Sequence, residues 1–277
     1  MIKRDYYSVR TGKITSDQTV NFDVLIRMFN ITYNRLENEG YFQKYFGIDC
    51  NDGYISGVLG EDIDAIMFIN LRKNNLYPIS TNLTHYTEDD FFDIVEFLYD
   101  HCSKGISGHF HNWYNCGYHF DEFNDIEGQK YYRELLNPIL KNYKDGFEIS
   151  DSGEILILSD NGLSNLFLAD IPTSDEENIK NKIDSAILKF RRFKSTLEDR
   201  REAIRELADV LEFLRPTIKN HLNKKDENDL FNIANNFGIR HHNKEQQTEY
   251  DKPIWYSWIF YYYLATLHAV LRMKSKE

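Results

Sequence analysis

Apolar residues recur at three- and four-residue spacing along most of this chain, the mark of helices with one buried face. NFDVLIRMFNITYNRLEN (21–38) has that spacing, and so does the run from Glu61 to Leu71. Thr87 opens TEDDFFDIVEFLYDHC as an N-cap, with acidic residues in the first turn, where the helix dipole favours them. A further helix is predicted over Tyr131–Tyr143, kinked or divided at Pro138. The period then changes. GFEIS and EILIL flank Asp151-Ser152-Gly153, which predicts a short β-hairpin near 146–158.

Ile171-Pro172-Thr173-Ser174 reads as a joint, dividing the chain into 1–172 and 173–277. Four patterned segments follow it. Asp175–Phe193 starts from a Thr/Ser cap, and Leu197–Leu214 stops before Pro216. Asp226 to about His242 carries Leu230, Ile233, Ala234 and Phe237 on one stripe. Pro253–Met273 starts with a proline where a helix tolerates one best. Short connections between them predict a four-helix bundle. The expected fold class is therefore mostly α, a helical bundle after an α-rich N-terminal region with one short hairpin.

With 277 residues, 42% hydrophobic and 15% aromatic, the chain can bury a substantial core, and wholesale disorder is excluded. Ile254–Leu271 holds no Asp, Glu, Lys or Arg, but its four tyrosines, Ser257, Thr266 and His268 would need partners in lipid. A buried bundle helix or a dimer interface is the expected reading, with no membrane. The start, MIKRDYYSVR, lacks an apolar stretch, so no signal peptide is expected. Three scattered cysteines make no disulfide framework and point to a reducing cytoplasm. The net charge of −11 argues against a DNA-coating protein. It is unevenly spread: 19 basic and 17 acidic residues from Ser174 onward, 14 and 27 before it. Two parts with different tasks are implied.

FGIRHHNKEQ (237–246) holds the first candidate chemistry. Leu230, Ile233 and Phe237 lead by spacing to Arg240, which places Arg240 and His241 at the end of the third bundle helix. Asn236 lies one turn before and Asn243 about one turn after. RNA cleavage by its own 2′-hydroxyl needs a proton-moving group, which histidine supplies, and a cation on the phosphate, which a guanidinium supplies. No metal or other cofactor is required. The same residues at a helix end also stabilise the dipole and free carbonyls, with no catalysis implied.

ADVLEFLRP, DENDLFNIANNFGIRHHNKEQQTEYD and IWYSWIFYYYLATLHAVLR together resemble the C-terminal HEPN-type domain of bacterial abortive-infection proteins and their relatives. The resemblance covers about Thr173–Met273. YFGIDCNDG, FFDIVEFLYDH and YNCGYHFDEF resemble the N-terminal region of the same proteins, with no chemistry attached. The resemblance implies a small helical bundle that cuts RNA without metal, works as a homodimer and serves as a toxin-like ribonuclease in anti-phage defence. Pairing is expected through the last helix, with a regulatory protein as a further partner. Arg240, His241, His242, Asn236 and Asn243 are the expected catalytic residues. The family signature is an Arg, a polar residue, and a His with four to six residues between it and the Arg; here Glu245, Gln246 and Gln247 stand at the positions of that His. Arg215 and His221 match that spacing literally, but Pro216 follows the Arg. The alternative is an inactive bundle that binds or regulates.

HCSKGISGHFHNWYNCGYHF (101–120) is a second cluster. Its thiols and imidazoles would suit zinc, with Cys102, His111, Cys116 and His119 the first choice of ligands. No CxxC pair is present, and packing among Phe110, Trp113, Tyr114, Tyr118 and Phe120 in a loop is the preferred account. Arg191, Arg192, Lys194, Arg200, Arg201 and Arg205 could hold RNA phosphates. The interspersed Glu198, Asp199, Glu202 and Glu206 favour a solvated, self-paired face. His268 is expected to be a satisfied core histidine. No GxxxxGK[ST], GxGxxG after a strand, or GxSxG is present, which leaves ATPase, dinucleotide and hydrolase readings without support.

Overall fold

A computed structural model describes residues 6–13, 19–50, 52–113, 116–158, 163–239 and 250–276. It is mostly helical, with three two-stranded antiparallel sheets among the described residues. The chain divides into two compact units, Met1–Leu158 and Ser159–Glu277. The division falls earlier than the joint expected at Pro172. The reason is apolar: Leu166, Phe167 and Ile171 already pack on the second core.

In the first unit, α1 (Tyr7–Arg10) is one turn. In α2 (Phe22–Asn38), Asn21 caps the N–H of Val24, and Leu25, Phe29, Tyr33 and Leu36 are buried at helical spacing. Short α3 (Gln43–Phe46) leads into the hairpin of β1 (Ile48–Cys50) and β2 (Gly53–Ile55). Asp62 caps α4 (Ile63–Leu71), and α5 (Ile79–Asn82) runs into a 3₁₀ turn. Thr87 and Asp90 form a capping box on α6 (Glu88–Asp100), which buries seven apolar or aromatic side chains from Phe91 to Tyr99. The second hairpin joins β3 (Lys104–His111) to β4 (Gly117–Asn124).

Helix α7 (Asp125–Leu140) begins earlier than the expected Tyr131, because Asn124 caps the N–H of Glu127 ahead of the apolar stripe. It continues through Pro138, whose missing N–H falls in the last turn. The predicted hairpin is present as β5 (Phe147–Ile149) and β6 (Ile155–Ile157). Helices α2, α6 and α7 share the core: Phe29 meets Phe91 edge-on at 5.1 Å between centroids, and Tyr132 donates to the Val95 carbonyl at 3.0 Å.

In the second unit, α8 (Ser164–Leu168) and a π-helical turn (Glu176–Lys180) precede α9 (Asn181–Arg191). Thr196 and Asp199 cap α10 (Leu197–Phe213) with another capping box. A helix not expected, α11 (Arg215–His221), starts with Pro216 in its first turn, where no N–H is needed. Then come α12 (Lys224–Asn236), capped by Asn223, and α13 (Lys252–Lys274), capped by Asp251. Helix α10 is central and packs on α9, α12 and α13. The aromatic ring of Phe190 on α9 stacks on that of Phe260 on α13 at 3.9 Å and 11°.

No helix among the described residues is long and apolar enough to cross a membrane. Two buried polar groups of α13 find protein partners: Tyr263 donates to the Leu230 carbonyl at 3.4 Å, and His268 Nε2 meets the Leu166 carbonyl at 3.1 Å. Burial holds the His268 pKa below its ordinary 6.5. The neutral ring is thus the form that folds. Its contribution is complete above about pH 6.5 and is lost as pH falls from there through the lower folded value. His268→Gln keeps a donor for Leu166 without a titrating ring. Urea midpoints measured from pH 7.5 to 5 are expected to fall less steeply in this variant than in the parent chain.

Candidate functional site

The cysteine–histidine sequence read as a loop is mostly a hairpin. Register places His109 opposite His119 and His111 opposite Gly117. Residues two apart on a strand share a face, so His109 and His111 lie on the side that His119 also reaches. Two glycines allow this close pairing. A Cβ on Gly108 would lie 1.9 Å from the His119 carbonyl oxygen, and one on Gly105 would lie 2.2 Å from the Phe120 ring. The register shifts between these glycines, so β3 is irregular just before its histidines.

Of the four ligands expected for zinc, the structure brings three together: His111, Cys116 and His119. The fourth donor is Cys50, not Cys102. Cys50 ends β1 and reaches the cluster across the 61 residues that separate it from His111. Cys102 precedes β3, whereas His111 ends it. A strand rises about 3.3 Å per residue, so eight residues hold the two roughly 20 Å or more apart. Cys102 is 0% exposed, and its thiol faces the Gly128 carbonyl at 3.5 Å. Burial, with Asp125 adding to it, pushes that thiol well above its ordinary range, away from the thiolate a metal needs.

The donor atoms of Cys50, His111, Cys116 and His119 all lie within 4.8 Å of one another. Cys50 Sγ is 3.4 Å from His111 Nδ1, and Cys116 Sγ is 3.0 Å from His119 Nε2. Two further contacts orient the group. His111 Nε2 lies 3.2 Å from a carboxylate oxygen of Asp52, and the Asp52 N–H donates to Cys50 Sγ at 3.4 Å. Burial first, then His111 and His109, lower the His119 pKa and favour its neutral ring. Cys50 is 7% exposed and His119 6%, while a cavity of about 330 Å³ opens beside them, lined by Asp52, Tyr54, Ile55 and His109.

The other candidate behaves differently. Helix α12 stops at Asn236, and Gly238 follows with φ +66°, so the helical series does not run on to Arg240 as expected. Arg240, His241, His242 and Asn243 lie outside the described residues. Asn236 is exposed on the last turn of α12. The flanks of the 240–249 segment meet: Tyr250 donates to the Phe237 carbonyl at 2.7 Å, and their rings are 5.1 Å apart. Arg201 Nε donates to the Gly238 carbonyl at 3.3 Å. The literal signature match is engaged in structure: Arg215 pairs with Glu227 at 2.8 Å and Glu212 at 3.2 Å, over the ring of Phe231. The basic face is also largely self-paired, Arg201 with Glu198 at 3.0 Å and Arg205 with Glu202 at 3.4 Å. Arg191 and Arg200 lie over Phe167 and Phe190.

No protein-family model, curated protein or solved structure matches this chain.

Proposed function

We propose that this chain is an RNA-directed protein of two parts, whose C-terminal unit is a HEPN-type bundle that cuts RNA without metal in anti-phage defence. One observation supports the reading most. The flanks of the segment bearing Arg240, His241 and His242 are drawn together by Phe237 and Tyr250, and Arg201 of α10 reaches the first flank. The residues on either side of that segment thus meet beside α10, which carries Arg200, Arg201 and Arg205. Arg240 would stabilise charge on the phosphate, His241 or His242 would move protons, and Asn236 or Asn243 would orient them. The first half of α13 exposes Ile254, Trp255, Trp258 and Tyr262, with Trp258 stacked on Tyr262 at 5.5 Å. An aromatic stripe at helical spacing suits pairing with a second copy. The acidic first unit would sense or regulate, in the cytoplasm.

Binding without cutting is the rival reading. It is favoured by Glu245, Gln246 and Gln247 standing where the family carries its distal His. The purified chain, incubated with total RNA and no added divalent cation, separates the two. Cutting is expected, slowed about a hundredfold in Arg240→Ala and strongly in His241→Ala/His242→Ala. Undiminished cutting in both variants would remove the site. RNA bound but never cut, even with phage lysate added, would establish the rival.

A further inference from the structure

We propose that Cys50, His111, Cys116 and His119 hold a zinc ion that fastens the β1–β2 hairpin to the β3–β4 hairpin. The donor set is chemically narrow. Two thiols and two imidazoles suit zinc, whereas magnesium and calcium require oxygen. The geometry agrees. With Zn–S of about 2.3 Å and Zn–N of about 2.0 Å, a tetrahedral ion spaces its donors about 3.3–3.8 Å apart. The donors here all lie within 4.8 Å, with neighbouring pairs at 3.4 and 3.0 Å, so closure onto an ion needs only small side-chain movements.

Charge explains how such a group can be buried. Two thiolates and one divalent cation sum to zero, so Cys50 and His119 can lie nearly out of solvent without a net charge. Asp52 completes the arrangement twice over. Its carboxylate faces the ring nitrogen of His111 opposite the one directed at the cluster, and its N–H donates to the Cys50 sulfur. A carboxylate behind a ligating imidazole fixes the ring and raises its basicity. Four protein donors leave no place for a reacting water, which makes the ion a structural fastener. Every residue of β2 is exposed, so the outer strand of the hairpin it holds buries no side chain of its own. This inference is independent of the RNA reading, because it concerns the other unit.

The test is metal content and spectroscopy of the full chain, prepared under reducing conditions. One zinc per chain is expected by native mass spectrometry. Cobalt in its place is expected to give tetrahedral d–d bands and thiolate-to-cobalt charge transfer. Cys50→Ser and His119→Ala are expected to lose the ion. Asp52→Ala weakens binding by about tenfold or more, and Cys102→Ser keeps one equivalent. Gly108→Ala touches no donor but pushes on the His119 backbone, and it too is expected to bind zinc more weakly. Amide exchange in 48–55 should quicken when zinc is removed from the parent chain. A folded parent chain that takes up neither zinc nor cobalt would overturn the site. So would cobalt bound without thiolate bands, or a full equivalent retained in both Cys50→Ser and His119→Ala. Unchanged exchange in 48–55 after removal would overturn the fastening role.

Discussion

Phe260→Ala is expected to destabilise the C-terminal unit by about 3–5 kcal/mol. The ring is 0% exposed at the centre of α13. It stacks on Phe190 at 3.9 Å and 11°, with Phe167 at 6.1 Å on a third element, α8. Truncation removes the transfer free energy of a whole ring and leaves a cavity between helices that are already closely packed. Phe190 would lose its stacking partner, and α8 would lose part of its attachment. A loss of this size lowers the melting temperature of a unit this small by about 10–20 °C. Trp258→Ala, on the exposed face of the same helix, is the control, expected within roughly 1 kcal/mol in the monomer. Denaturant unfolding of both variants measures the contrast. Equal effects would mean that α13 buries a different face.

The helices were legible where a cap and an apolar stripe agree. Asn21, Thr87 and Thr196 each accept from a first-turn N–H, and the helices they open have buried residues at helical spacing. Helix α12 shows how spacing misleads. Phe237 and Arg240 continue its series, but Gly238 in the left-handed region ends it first, a stop signal present in NFGIR that the periodicity outweighed. The β3–β4 hairpin was illegible for a different reason. Ile106 and Phe110 of β3 are 60% and 59% exposed, so no alternation of buried and exposed positions marks the strand. Cys50 was missed because its neighbours in the cluster are brought near only by the fold. One local cue existed: Cys50 stands just before Asp52-Gly53, a turn-forming pair, in a short alternating stretch.

Gly128→Val is expected to destabilise the N-terminal unit by about 3 kcal/mol or more, against its own helix preference. In an unhindered helix, replacing glycine by alanine is favourable by about 1 kcal/mol, and valine keeps a smaller part of that gain. Gly128 is not unhindered. It lies in the first turns of α7, buried against the chain that joins α6 to β3. A Cβ there would sit 2.5 Å from Ser103 Cα and 2.7 Å from Lys104 N, both backbone atoms that no rotamer change can move. The Ser103 strip is itself held, its N–H donating to the Tyr41 carbonyl at 2.8 Å. Either α7 shifts outward, loosening Tyr132 from the core, or the strip shifts and carries the start of β3 with it. Both movements cost more than the helix gains, so the steric effect decides the sign. Gly128→Ala is expected to show the same sign with a smaller loss, about 1–3 kcal/mol. Denaturant unfolding reads the size of each loss, and exchange of the Ser103 N–H, which donates to the Tyr41 carbonyl, reads whether the strip has moved. An alanine variant more stable than the parent chain would show that α7 does not pack on Ser103.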